Sequence, residues 1–273
     1  MTNSKTSEVN SLPLGEMSAR GGQRGNLFNH ILAIADNSLI LGQRLGELCG
    51  HGPSLETDIA MTNISLDLFG QVRSYFQYAA QLSEDKNVTE DTLAFLRIER
   101  EYKNVLLVEQ PNTDFGYTIV RQFLFDAYHL LFLRELEKSK DATFAAIAKK
   151  SIKEVSYHWR FSSDWVRRLG DGTPESHERV QEAVTDLWMY TDELFHQTDA
   201  DKEMISQGIG VDTSKLKEKY YSMISEVLEE ATIAIPESKY WHKGGKLGIH
   251  SEHMGYILAD MQYMQRTYPN MEW

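Results

Sequence analysis

The stretch FLFDAYHLLFL, residues 123–133, sets Asp126 and His129 three apart in an otherwise apolar run. On a helix that spacing puts both on one face. Burying a carboxylate costs several kcal/mol unless it is paired or binds something. The run reads as a buried helix with a polar centre, and the question is what Asp126 holds.

Outward from this run, the helical period recurs along the chain and strand-like alternation does not. Apolar residues Ile64, Leu68, Val72, Tyr75 and Ala79 recur at threes and fours, for example. The pattern predicts helices over about 27–49, 55–82, 91–108, 115–138, 141–169, 173–195, 214–231 and 251–268. Breakers separate them: GHGP at 50–53, Pro111, GDGTP at 170–174, and Gly208 and Gly210 in an expected loop over 197–211. Asp141, Thr173 (before Pro174) and Ser251 are the expected N-caps. The expectation is one all-α domain over 27–273 whose helices bury their stripes against one another. Residues 1–26 are polar and Gly/Ser-rich and read as a flexible tail without a signal peptide.

Charge and composition exclude several classes. The 273 residues carry a formal net charge of -12, against nucleic-acid binding and against anionic membrane surfaces. No apolar stretch is long enough to span a membrane, so the expected address is the cytosol. Cys49 is the only cysteine, which rules out an intrachain disulfide and reads as a plain buried thiol.

Three further acids join Asp126 on predicted long helices: Asp36, Asp67 and Glu154. Each pair, 36 with 67 and 126 with 154, is separated by one antiparallel helix step. A carboxylate-bridged di-iron site in a four-helix bundle has this plan. It takes a lone Glu from two helices and Glu-x-x-His from the other two. The histidines do not follow. Three residues after Asp67 comes Gly70, and three after Glu154 comes Tyr157. His158 arrives one residue late, rotated by about 100°. His129 follows Asp126 on a helix where the plan expects only the acid. Three of the acids are Asp, shorter than Glu. Two readings are weighed from the residues alone: acids solvated or at the edges of buried stripes, Asp67 in a polar seam with Asn63, Gln71 and Ser74, or a working di-iron site with this ligand set, which the missing histidines argue against.

At these residues the chain resembles a known family. The segments 39–73 (LILGQRLGELCGHGPSLETDIAMTNISLDLFGQVR), 91–112 (DTLAFLRIEREYKNVLLVEQPN) and 244–269 (GGKLGIHSEHMGYILADMQYMQRTYP), with Trp273, resemble the C subunits of bacterial phenylacetyl-CoA epoxidases. These are multicomponent ring-1,2-monooxygenases of phenylacetate degradation. The resemblance implies a ferritin-like four-helix bundle core with additional C-terminal helices. It implies a non-catalytic subunit that supports a homologous A subunit carrying the di-iron centre. A small B subunit and a reductase drawing on NADPH complete the implied assembly. On this reading the chain has no catalytic, cofactor or metal residues of its own. Asp36, Asp67, Asp126 and Glu154 are vestigial di-iron positions, with His129 and His158 nearby. Asp126 and His129 are then expected to satisfy each other or neighbours such as Arg44, Lys150 or His158. The alternatives are a stand-alone di-iron oxygenase with an unusual ligand set, and a helical binding scaffold.

Two other motifs have plainer readings. His250, Glu252 and His253 in GIHSEHMG are ligand types, but the segment reads as a loop-to-helix junction capped by Ser251. HKGGKLG lacks the Gly-Lys-Ser/Thr ending of a phosphate loop. Of the five tryptophans, most are expected in the core and some at a subunit interface.

Overall fold

The computed structural model describes residues 23–237, 240–269 and 271, and among these there is helix and no strand. Residues 1–22 of the expected tail and Trp273 lie outside them. Helix α1 (Gln23–Glu47) starts four residues before the expected position, so residues 23–26 are helical. α2 (Leu55–Leu82) has the predicted bounds. Ser54 caps it, accepting from the Thr57 amide at 3.3 Å. Asp58 Oδ1 accepts from the amides of Gly50 and Gly52, both at 2.9 Å, which closes the turn between α1 and α2. The two helices run antiparallel: Gly42 meets the Phe69 ring, and Gly46 approaches Ser65. Cys49 lies in this turn and is exposed, not buried as expected.

The second hairpin is α4 (Phe115–Leu136) and α5 (Ala142–Gly170), with Asp114 and Asp141 as side-chain N-caps. Phe123 stacks on Trp159 at 5.2 Å between ring centroids, and Phe115 meets Trp165 at 5.0 Å. The 123–133 run is buried at every position. Such all-round burial belongs to a helix surrounded by others. α4 lies against α5, α6 (Pro174–Leu187) and α8 (Lys217–Glu230). α2 and α5 join the hairpins, also antiparallel, through Asp67 with His158 and Gln71 with Glu154.

The expected third helix over 91–108 is not formed. α3 spans only Glu90–Phe95, and short 3-10 turns follow at Glu99–Glu101 and Leu106–Glu109. The backbone amides that a helix would use are taken by α1 side chains. Lys103 N–H donates to Asp36 Oδ2 at 2.8 Å, and Val105 N–H to Asn37 Oδ1 at 2.8 Å. These two bonds to side chains of a rigid helix hold the segment extended against its helical period. The expected sixth helix likewise splits into α6 and a 3-10 segment, Trp188–Phe195. α7 (Asp199–Ser206), capped by Thr198, fills part of the expected loop 197–211.

α9 (Glu252–Thr267) closes the described fold against α3 and the 3-10 turns. Its approach, residues 244–251, is anchored by two fully buried glutamates. Glu193 accepts from the Leu106 and Gly244 amides, both at 2.7 Å. Glu109 accepts from Asn104, His250 and Ser251. Ser251 sits at the N-cap position, but its hydroxyl goes to Glu109 Oε2 at 2.6 Å and does not cap. Trp188 is core, while Trp159, Trp165 and Trp241 are half-buried against it.

Candidate functional site

The four acids do not converge on one centre. Each is held by a different protein donor, and the donors determine what each can do.

Asp36 and Arg97 are both fully buried and form a bidentate pair. Arg97 Nη1 donates to Asp36 Oδ2 at 2.9 Å, and Nη2 donates to Oδ1. The guanidinium also donates to the carbonyls of Leu93 at 2.6 Å and Glu101 at 3.0 Å. Its central carbon lies 4.0 Å from the Tyr102 ring centroid, a cation–π contact. Burial alone would lower the Arg97 pKa, but the Asp36 carboxylate outweighs it and the net shift is upward. The cation is therefore fixed, and Asp36 is saturated by three N–H donors.

Asp67 is half-buried at the α2–α5 seam, where His158 Nε2 meets its Oδ2 at 3.0 Å. Glu154, one turn away on α5, accepts from Gln71 Nε2 at 3.0 Å. Asp126 is fully buried. It accepts from Gln122 at 2.7 Å on its own helix and from the Ser162 hydroxyl at 2.8 Å on α5. Burial raises its pKa to about 7, against the lowering field of His158 and these two hydrogen bonds.

Asp126 and His129 do not pair, contrary to the expectation from their spacing. His129 packs on Phe125 with ring centroids 5.2 Å apart. Burial, with a smaller contribution from His158, lowers its pKa to about 3, so it is neutral at pH 7. Of the other expected partners, Arg44 instead donates to the Glu109 carbonyl and to Glu47, and Lys150 is exposed. His129 Nδ1 and His158 Nδ1 are buried without a hydrogen-bond partner. They do not complete a metal cage: among the described residues no three of His, Cys, Asp or Glu gather closely enough to hold an ion. A bridged di-iron centre does not fit this donor set, because Asp36 already faces a guanidinium and the other acids point to separate partners.

A cavity of about 30 Å³ lies between α1, α4 and the 199–213 segment, lined by His30, Asn37, His129, Asp201 and Lys246 among others. His30 Nδ1 donates to Asp201 Oδ1 at 2.7 Å. A space of this size takes about one or two water molecules, far less than an acyl thioester.

His250 is the unforeseen charged group. Its Nδ1 meets Glu109 Oε1 at 2.6 Å and its Nε2 meets the Tyr102 carbonyl at 3.0 Å. Both partners are acceptors, so both nitrogens carry protons and the ring is an imidazolium. Burial pulls its pKa down, but Glu109 more than compensates and the net shift is upward. It is an internal latch, not a metal ligand. Glu109 was missed in the sequence, although LLVEQP sets an acid in an apolar run as FLFDAYHL does. Arg97 was not legible, because RIEREYK reads as a solvated charge run.

Residues 16–273 match the family model described as phenylacetic acid catabolic protein. The chain is similar to the C subunit of the 1,2-phenylacetyl-CoA epoxidase of Escherichia coli (strain K12), with 46% identity over 244 residues, covering 89% of this chain and 98% of the relative. An all-helical chain with this match along nearly its whole length belongs to the phenylacetic acid catabolic protein family.

Proposed function

We propose that this chain is a non-catalytic, structural subunit of a multicomponent phenylacetyl-CoA 1,2-epoxidase in aerobic phenylacetate degradation. It supports a homologous A subunit that carries the di-iron centre, within an assembly that includes a small B subunit and receives electrons from NADPH through a reductase. The two hairpins form a ferritin-like four-helix core in which Asp36, Asp67, Asp126 and Glu154 are vestigial di-iron positions, and the assembly works in the cytoplasm. Consistent with that address, none of the described helices is long and apolar enough to cross a membrane.

The observation that carries the reading is the Asp36–Arg97 pair. A fixed guanidinium occupies the side of the carboxylate that a bridging iron would need, so oxygen activation falls to a partner chain. Support for the assembly comes from the relative's own name, which makes it one subunit of an epoxidase. The test is co-expression with the A subunit, affinity capture on this chain, and iron quantification of each component. Copurification with iron confined to the A subunit is expected. Stoichiometric iron in this chain alone, lost on Asp126→Asn, refutes it.

A further inference from the structure

The outer flank of the α2–α5 seam carries features that this chain does not use. α2 and α5 are fastened along the seam by Asp67 with His158 and Gln71 with Glu154. On the inner flank Ile64, Leu68, Val155 and Val166 are buried. At 3.6 residues per turn, Ile59, Leu66 and Gly70 lie within about 60° of one another on the opposite flank of α2. Ile59 and Leu66 are 51% and 61% exposed. Gly70 is exposed in the middle of a 28-residue helix, and a Cβ there would meet nothing within 4 Å. An interior helical glycine costs about 1 kcal/mol relative to alanine, with no steric need inside this chain. Across the seam, Tyr157 and Phe161 are ring neighbours at 6.1 Å, and Phe161 continues to Trp165 at 6.5 Å. Arg160 and Arg168 lie over Tyr157 and Trp165.

Charge narrows the choice of occupant. α5 carries six Lys and Arg against two Asp and Glu, in a chain of net charge -12. α2 carries one Arg against three Asp and Glu, so a two-fold pairing would bring like charges together where it set α5 against its own copy. Exposed leucine and isoleucine, with a glycine that admits a close backbone, suit a protein helix better than a nucleic acid.

We infer that the α2–α5 outer flank is a docking surface for a different helical chain, one that presents an acidic and apolar helix face with its backbone close to Gly70. Resting on the proposed function, that occupant is the A subunit. The experiment measures binding of purified A subunit to full-length wild type, Gly70→Gln, Leu66→Gln and the double charge reversal Lys150→Glu with Arg168→Glu. Thermal melts of each chain alone run in parallel. Gly70→Gln is expected to keep or raise the melting temperature while weakening binding at least tenfold. The charge reversal should lose most affinity at low salt and less at high salt. Binding by the Gly70 and Leu66 variants at wild-type strength, or their loss of self-association in place of A-subunit binding, overturns this inference alone. Failure of the wild type to bind overturns the proposed function and this inference with it.

Discussion

Replacing Asp36 by leucine tests the polar centre most directly. The substitution keeps the branch at Cγ, is larger, and leaves Arg97 with no counter-charge at a position with no solvent access. Removing one member of a buried ion pair costs about 3–5 kcal/mol. The Lys103 amide loses its acceptor as well, although Arg97 keeps its bonds to the Leu93 and Glu101 carbonyls. At about 2–4 °C per kcal/mol for chains of this size, the melting temperature should fall by about 6–20 °C. The assay is thermal and urea unfolding followed by circular dichroism, with hydrogen exchange over residues 97–105. Exchange there should accelerate first, because Asp36 holds that segment. The decisive comparison is the double variant Asp36→Leu with Arg97→Met. Removing both charges takes away the unpaired cation, so the double variant should recover at least half of the loss. A single variant within about 1 kcal/mol of wild type, or a double variant no better than the single, would refute the pairing as the organising contact.

Other perturbations have signs fixed by the same contacts. Asp126 has a folded pKa near 7, above its unfolded value, so the folded state binds the extra proton. Its own contribution to stability should therefore fall by up to about 1.4 kcal/mol per unit as pH rises from about 4 to 7, opposed over much of that range by His129, whose folded pKa near 3 makes its contribution rise with pH. Asp126→Asn should remove that fall and leave a more positive slope in a pH series of urea melts, and an unchanged slope would count against a buried, protonated carboxyl. His250 also has a folded pKa above its unfolded one, but here the stabilising form is the charged ring. Its contribution is complete below about pH 6.5 and disappears as pH rises through the folded value. Protection from exchange over residues 244–267, taken relative to the intrinsic rate at each pH, should fall at alkaline pH in wild type, and His250→Gln should remove that dependence and cost about 3 kcal/mol near neutrality. Gly245→Ala drives a Cβ into the Asn104 carbonyl oxygen, which must shift. A loss of about 1–3 kcal/mol is expected, with Gly244 to His250 exchanging faster; neutrality would mean the segment is not pressed against residue 104.

Where helices are self-contained, the sequence was legible. α2 matches its predicted bounds because its apolar period, its Ser54 cap and its flanking breakers all agree. α5 does so for the same reasons, with Asp141 bonding the amides of Thr143 and Phe144. The 91–108 segment misled because its pattern is helical while its amides are claimed by Asp36 and Asn37, residues more than sixty positions away. No local rule records such a claim. The acids were legible as buried polar groups, but their partners were not. Ser162 is invisible as a partner for Asp126 until the register of α4 on α5 is known. His158, one residue off the di-iron spacing, is in register for Asp67 on α2.

One side chain bears on both the break after α3 and the chemistry open to Asp36. Arg97 lies just past the end of α3, and its guanidinium bonds both Asp36 and the Glu101 carbonyl. The same charge opposes a divalent ion. At about 5 Å and an effective dielectric of about 20, a guanidinium repels a doubly charged ion by about 7 kcal/mol. That is comparable to the whole stability of an ordinary domain. An ion could enter only if Arg97 left, and its exit would release the Leu93 and Glu101 carbonyls and the stacked Tyr102 as well. Keeping Asp36 buried and keeping residues 97–105 out of a continuous helix are thus a single requirement, met by positive charge from the chain itself.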